Sequence, residues 1–111
     1  MEKNIRLGYL YDFYGELLPE HGREILGSIV EDDLSLSELS EMYGITRQGV
    51  HDVKKRCAAA LEKYESKLHL LEKYLSSKEL VSEIKTVAES RAGDVQMKEI
   101  SELCDRLMEN I

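Results

Sequence analysis

Six polar side chains that can contact nucleic acid fall within one ten-residue segment, RQGVHDVKKR, at residues 47–56. Arginine and glutamine can form paired hydrogen bonds with the edges of guanine and adenine, whereas lysine and arginine also bind phosphate as cations. The segment therefore predicts a nucleic-acid-binding surface, formed by Arg47, Gln48, His51, Lys54, Lys55 and Arg56.

Two helices joined by a tight turn are predicted to position this segment. Ser35 and Glu38 have the spacing of a capping box at the start of the first helix. Gly44 tolerates the left-handed backbone of the turn, and Thr46 caps the second helix. Ser40 stands at the crossing point, where a small apolar residue is usual. The apolar residues expected to hold the two helices together in a helix-turn-helix are Leu39, Tyr43, Ile45, Val50 and Val53.

The distribution of charge concentrates positive charge on the second of these helices. The chain has a net charge of −7, but residues 46–57 hold four basic residues and one acidic residue, whereas residues 1–45 hold three and ten. A local basic patch on an acidic protein predicts weak, strongly salt-dependent binding to a phosphate backbone. The alternative, that the motif only packs three helices and contacts no nucleic acid, stays open.

Flanking segments also have helical periodicity. A first amphipathic helix should end before Pro19, and a second should begin near that proline. The capped helix is predicted to continue from Thr46 to about Ser76, on the order of 45 Å. Two C-terminal helices follow, separated by a turn at Gly93 with Asp94 as the next cap.

A heptad-like apolar stripe from Cys57 onward needs a cover that a compact three-helix head cannot supply. The cover could be the chain's own C-terminal helices, a second copy, or both; we expect a homodimer. The residues predicted to line its interface are Leu61, Tyr64, Leu68, Leu71 and Leu75.

Composition favours an all-α fold of one domain. Within it, we expect residues 1–58 to form a helix-turn-helix head without a wing, and residues 59–111 to form a long-helix extension with C-terminal helices. Cys57 and Cys104 have no metal-site spacing, and no leader or membrane-spanning run is visible, which favours a reduced cytoplasmic location. The three histidines are scattered and no catalytic motif is present, so we expect neither an enzyme nor a cofactor or metal site.

The segments LGYLYDFYGELL and EDDLSLSELSEMYGITRQGVHDVKKRCAAALEKYESKLHLLEKY resemble the YlxM-type proteins, small bacterial helix-turn-helix proteins associated with the signal recognition particle. The resemblance extends from the first helix through Tyr74. The middle part also resembles the fourth conserved region of sigma factors, although 111 residues leave no room for a promoter-melting domain.

This resemblance implies a DNA-binding or regulatory protein of the signal recognition particle pathway, with contacts to the particle's RNA or protein. Two hypotheses follow. In the first, the basic helix binds DNA or structured RNA. In the second, the chain is a protein-binding accessory of the particle's GTPase or RNA, and the helix-turn-helix is only a scaffold.

Overall fold

The computed structural model describes residues 1–91 and 93–111, which form six α-helices and contain no β-strand. The all-α fold with a helix-turn-helix is therefore confirmed. The helices are α1 (Lys3–Tyr14), α2 (Glu20–Val30), α3 (Leu36–Tyr43), α4 (Arg47–Leu68), α5 (Leu70–Glu89) and α6 (Val95–Asn110), with a short 3-10 turn at Gly15–Leu17. Within these described residues, no helix combines the length and apolar character needed to cross a bilayer.

The chain divides into two compact units, Met1–Leu71 and Glu72–Ile111, and the boundary falls in the first turn of α5. The first unit therefore extends beyond residue 58, the predicted end of the head. The description of the chain as one domain with an extension stays a prediction.

The core of the first unit lies between α1, α2, α3 and α4. Its most deeply buried side chains each have 1% exposure or less, and include Leu10, Tyr14, Ile25, Leu26, Leu39, Val50 and Leu61. α2 and α4 approach closely at Gly22, where an added Cβ would lie 2.8 Å from the Cys57 sulfur. Such tight contacts hold α4 rigidly against the rest of the unit.

The predicted continuous helix from Thr46 to about Ser76 is wrong, because α4 ends at Leu68 and α5 begins at Leu70. His69 between them adopts a left-handed conformation, with φ of 57°, and donates its N–H to the Glu65 carbonyl oxygen. Neither glycine nor proline marks this break, and it is stabilised by side-chain contacts, one of them with a residue distant in sequence.

A buried pair of polar side chains supplies those contacts. The Tyr14 hydroxyl donates to the Glu65 carboxylate at 2.7 Å and accepts from the Leu70 N–H at 3.1 Å. The same carboxylate oxygen accepts from the Leu71 N–H at 2.9 Å. The first N–H groups of a helix have no partner within the helix, so Tyr14 and Glu65 act together as the cap of α5.

The second unit contains most of α5 together with α6, packed antiparallel. The side chain of Lys85 pairs with Asp105 at 2.5 Å, and Ser101 donates to Glu89 at 3.5 Å, which fixes the register of the two helices. Val81, Ala88 and Cys104 are buried. The predicted turn is confirmed where the structure describes it: Gly93 has φ of 93°, and the Asp94 carboxylate accepts from the N–H groups of Gln96 and Met97.

Candidate nucleic-acid interface

The corner between α3 and α4 forms as its residues predict. Ser35 and Glu38 make the reciprocal hydrogen bonds of a capping box at the start of α3. Gly44 ends that helix in the left-handed region, with φ of 66°, and Thr46 caps α4 by accepting from the Gly49 N–H at 2.9 Å. These bonds set the point at which α4 starts, and hence which side chains follow the turn.

Ser40, the departure from the usual helix-turn-helix pattern, is explained by the structure. Its hydroxyl donates to the Ile45 carbonyl oxygen at 2.5 Å, and its carbonyl oxygen accepts from the Gly44 N–H. The hydroxyl bond crosses the turn and would be lost with alanine, whereas the backbone bond would form with either residue. The serine side chain therefore adds one hydrogen bond that stabilises the corner.

The predicted apolar contacts of the motif are largely buried. Leu39 and Val50 are fully buried and Val53 is 7% exposed, whereas Tyr43 and Ile45 are half-buried. Because the helical repeat is 3.6 residues, burial of Val50 and Val53 turns residues 48, 51, 52 and 55 towards solvent.

Most of the predicted nucleic-acid-binding side chains are accessible. Lys54 is half-buried, and the exposed ones are Arg47, Gln48, His51, Lys55 and Arg56. Within residues 1–91 and 93–111, none of the cations among them forms an ion pair with a carboxylate. Arg56 lies about 100° around α4 from Lys55, on the other flank of the exposed surface. Arg47, Lys54 and Lys55 fall within about 100° of one another around α4.

Gln48 is already engaged within the helix. Its side-chain amide donates to the Asp52 carboxylate at 3.0 Å, one turn along α4. The bond fixes the Gln48 side chain and occupies one acceptor site of the Asp52 carboxylate. A phosphate or base that takes the same N–H of the Gln48 amide group must therefore replace this bond.

The structure adds α1 to the candidate interface, a contribution that the residue pattern of α4 does not predict. A groove of about 500 Å³ lies between the N-terminal half of α1 and the exposed side of α4. Lys3 and Arg6 line one wall, and the opposite wall carries His51, Lys54 and Lys55. The lining also includes the apolar residues Leu7, Leu10, Ala58 and Ala59.

One acidic residue limits the positive charge of this groove. Arg6 binds Glu62 through two hydrogen bonds, of 2.6 and 2.8 Å. This bidentate bond raises the pKa of Arg6 and lowers the pKa of the Glu62 carboxyl, although burial opposes both shifts. Lys3 has no such partner within the described residues, so it remains available to an anion. Its signal in the sequence was slight: two cations three residues apart, Lys3 and Arg6, at the start of an acidic segment.

The predicted dimer-interface residues do not form one exposed stripe. Leu61 and Leu71 are buried, with exposures of 0% and 1%. Tyr64 and Leu75 are half-buried, and Leu68 is 48% exposed. The helix break at His69 separates Leu71 and Leu75 from the helix that carries the others, so the stripe predicted along a single helix is interrupted.

Comparison with known proteins identifies relatives along nearly the whole chain. Residues 1–103 match the model of the family described as "UPF0122: Putative helix-turn-helix protein, YlxM / p13 like". UPF0122 proteins of Bacillus thuringiensis (strain Al Hakam), Bacillus cereus (strain AH187) and Bacillus anthracis (strain A0248) are each 39% identical over 108 residues. The aligned region covers 96% of this chain and 98% of each relative.

Proposed function

Since the chain belongs to the UPF0122 family of YlxM- and p13-like helix-turn-helix proteins, we propose that it is a nucleic-acid-binding regulatory protein rather than an enzyme. The N-terminal half of α4 contacts duplex DNA or structured RNA, and the start of α1 extends that contact. The observation that carries this proposal is the groove in which Lys3 of α1 faces Lys54 and Lys55 of α4, all without a carboxylate partner in the described part of the chain.

Each side chain has a role that follows from its position. Arg47, in the first turn of α4, is suited to a base edge because the N-terminal residues of a recognition helix reach into the major groove. Lys3, Lys54 and Lys55 suit phosphates, which fix orientation but carry no sequence information. The unpaired N–H groups and positive dipole at the start of α4 favour an anion at the same place.

The interface should bind weakly. For a few phosphate contacts, the logarithm of the binding constant should fall with the logarithm of the salt concentration, with a slope of about −0.9 per neutralised phosphate. Residues 1–45 carry a net charge of −7, which repels phosphate over most of the first helices. We therefore expect measurable affinity at low ionic strength and a sharp loss at physiological salt.

The resemblance to YlxM-type proteins also supports a place for this regulator in the signal recognition particle pathway of the bacterial cytoplasm. The particle's RNA is then a candidate ligand beside DNA. The alternative is a protein-binding accessory of the particle, favoured by exposed acids such as Glu16 and Glu20 that could meet a basic partner. Co-purification with such a partner should survive nuclease treatment and should be lost when the charges of Glu16 and Glu20 are reversed.

The test is fluorescence anisotropy of the purified chain with labelled duplex DNA and with the particle's RNA, at about 50 and 150 mM salt. Lys54→Ala and Lys55→Ala should each weaken binding and lower the salt slope by about 1. Lys63→Ala is the matched control, because Lys63 is an exposed lysine of the same helix that does not line the groove. Arg47→Ala should reduce the free energy of binding to the preferred nucleotide sequence by about 1 to 3 kcal/mol, and it should reduce discrimination between nucleotide sequences.

The outcomes separate the candidates. A preference for DNA supports transcriptional regulation, and a preference for the particle's RNA supports action on the particle itself. Binding that is equally strong in the Lys54, Lys55 and Lys63 variants contradicts the proposed interface. Absence of binding to both ligands at low salt contradicts the nucleic-acid function and leaves the protein-binding accessory.

A further inference from the structure

Asp52 is an unexpected residue on the exposed side of α4. Residues 46–57 hold four basic residues and this single acid, and the Asp52 side chain is exposed. A carboxylate among cations that face phosphates repels the ligand and lowers the affinity for it. Attraction of a phosphate backbone therefore does not account for an acid at this position.

The hydrogen bond between Gln48 and Asp52 supplies another role. Gln48 Nε2 donates to Asp52 Oδ1 at 3.0 Å across one helical turn, a spacing at which Gln–Asp pairs stabilise helices. A glutamine amide has two N–H donors and a carbonyl oxygen that accepts. The bond commits one N–H and thereby fixes how the amide is turned. The second N–H and the carbonyl oxygen bond to no other group within residues 1–91 and 93–111.

The remaining donor and acceptor of this amide match one base. In the major groove, adenine presents N7 as an acceptor and its N6 amino group as a donor, which one N–H and one carbonyl oxygen of a glutamine satisfy together. Guanine presents two acceptors, N7 and O6. With one N–H held by Asp52, the Gln48 amide can donate to only one of them and places its carbonyl oxygen against the other. The pair of side chains therefore favours adenine over guanine.

The position of Gln48 on α4 suits contact with a base edge. Gln48 is the second residue of the helix, and the N-terminal residues of a recognition helix contact bases. Val50, which is fully buried, lies about 200° further around the helix, so the Gln48 side chain points away from the core. The major groove of B-form DNA admits such a helix, whereas that of A-form RNA is too deep and narrow. Duplex DNA is the ligand that fits this arrangement.

We propose that Gln48 recognises an adenine in the major groove of duplex DNA, and that Asp52 is a positioning residue that orients the Gln48 amide and disfavours guanine. This inference rests on the proposed function and narrows its ligand to duplex DNA with an adenine at one fixed position. Asp52 lowers affinity for every sequence through its charge, but it increases the difference in affinity between sequences. Specificity depends on that difference, and repulsion of the wrong ligand contributes to it as much as attraction of the right one.

Selection of binding sites by the purified full chain tests the base preference. The probe is duplex DNA with a randomised centre that spans one turn of the double helix, at about 50 mM salt. The enriched sequences should share an adenine at one position, and replacing that A·T pair with G·C should weaken binding about tenfold by fluorescence anisotropy. Gln48→Ala should remove this difference. Gln96→Ala, at an exposed glutamine of α6, is the matched control and should leave it unchanged.

Two substitutions at Asp52 separate positioning from charge. Asp52→Ala removes both the acceptor and the negative charge, so affinity for all sequences should rise while the preference for adenine falls. Asp52→Asn removes the charge but keeps an acceptor oxygen for the Gln48 amide, so affinity should rise and the preference should be retained. A change of affinity in both variants with a change of preference in neither would overturn the positioning role.

The outcomes distinguish this inference from the function on which it rests. Salt-dependent binding of duplex DNA without an enriched sequence overturns the adenine preference but leaves the proposed nucleic-acid interface in place. An adenine preference that persists in Gln48→Ala overturns the assignment to Gln48. Binding to the particle's RNA alone overturns the assignment to duplex DNA, and binding to no nucleic acid overturns both this inference and the proposed function.

Discussion

Replacing Tyr14 with phenylalanine tests whether a buried hydroxyl sets the end of α4. The substitution removes the donor to Glu65 at 2.7 Å and the acceptor of the Leu70 N–H at 3.1 Å, while keeping the buried ring. A hydrogen bond to a charged group contributes about 1.5 to 3 kcal/mol. A buried N–H left without an acceptor costs about 1 to 3 kcal/mol, and the part-buried Leu70 N–H should fall at the lower end of that range. Because one hydroxyl makes both bonds, the two contributions are not additive. We expect the free energy of unfolding to fall by about 2 to 4 kcal/mol.

The assay is urea unfolding followed by far-UV circular dichroism, with the m-value as a check that the same surface unfolds. The melting temperature should fall by about 10 to 20 °C. Tyr43→Phe is the matched control, because the Tyr43 hydroxyl makes no hydrogen bond within the described residues, and its effect should stay within about 0.5 kcal/mol. Equal effects of Tyr14→Phe and Tyr43→Phe would refute the role assigned to the Tyr14 hydroxyl.

Three further predictions concern the remaining parts of the first unit. Gly44→Ala should destabilise the protein by about 1 to 2 kcal/mol in chemical denaturation, because φ at this residue is 66° although the space around it is open; an unchanged midpoint would contradict this. Glu62→Gln should release Arg6 and strengthen binding to nucleic acid at low salt by anisotropy, and weaker binding would show that the pair organises the groove. Burial, and then Glu65, raise the pKa of Tyr14 above 10, against the opposing effect of the Leu70 N–H. As pH rises, the folded state therefore keeps the hydroxyl proton to a higher pH than the unfolded state does. The free energy of unfolding should decline above about pH 10 in the wild type, and it should decline less in Tyr14→Phe.

The parts of the fold that were predicted correctly depend on signals close together in the chain. The capping box of Ser35 and Glu38, the left-handed Gly44 and the cap residues Thr46 and Asp94 each act within about four residues. Such local hydrogen bonds form in the same way wherever the helix is placed, so residue type and spacing are enough to predict them.

The end of α4 could not be predicted in this way. Apolar periodicity continues through His69, and neither glycine nor proline interrupts it. The break is stabilised by Tyr14, which lies 56 residues before Leu70. The same limitation applies to the groove, because Lys3 and Lys54 share it only after α1 packs against α4. Both features arise from contacts between distant segments, and a helical pattern contains no information on them.

The buried and exposed sides of α4 are under different evolutionary constraints. Its inward side, with Val50, Val53 and Cys57, is committed to the core, whereas Arg47 and Lys55 on the exposed surface bond to no side chain in the described structure. Exposed substitutions of this kind usually change stability by less than about 0.5 kcal/mol. Ligand preference can therefore drift, or be selected from a randomised library at the exposed positions, while the same scaffold continues to fold.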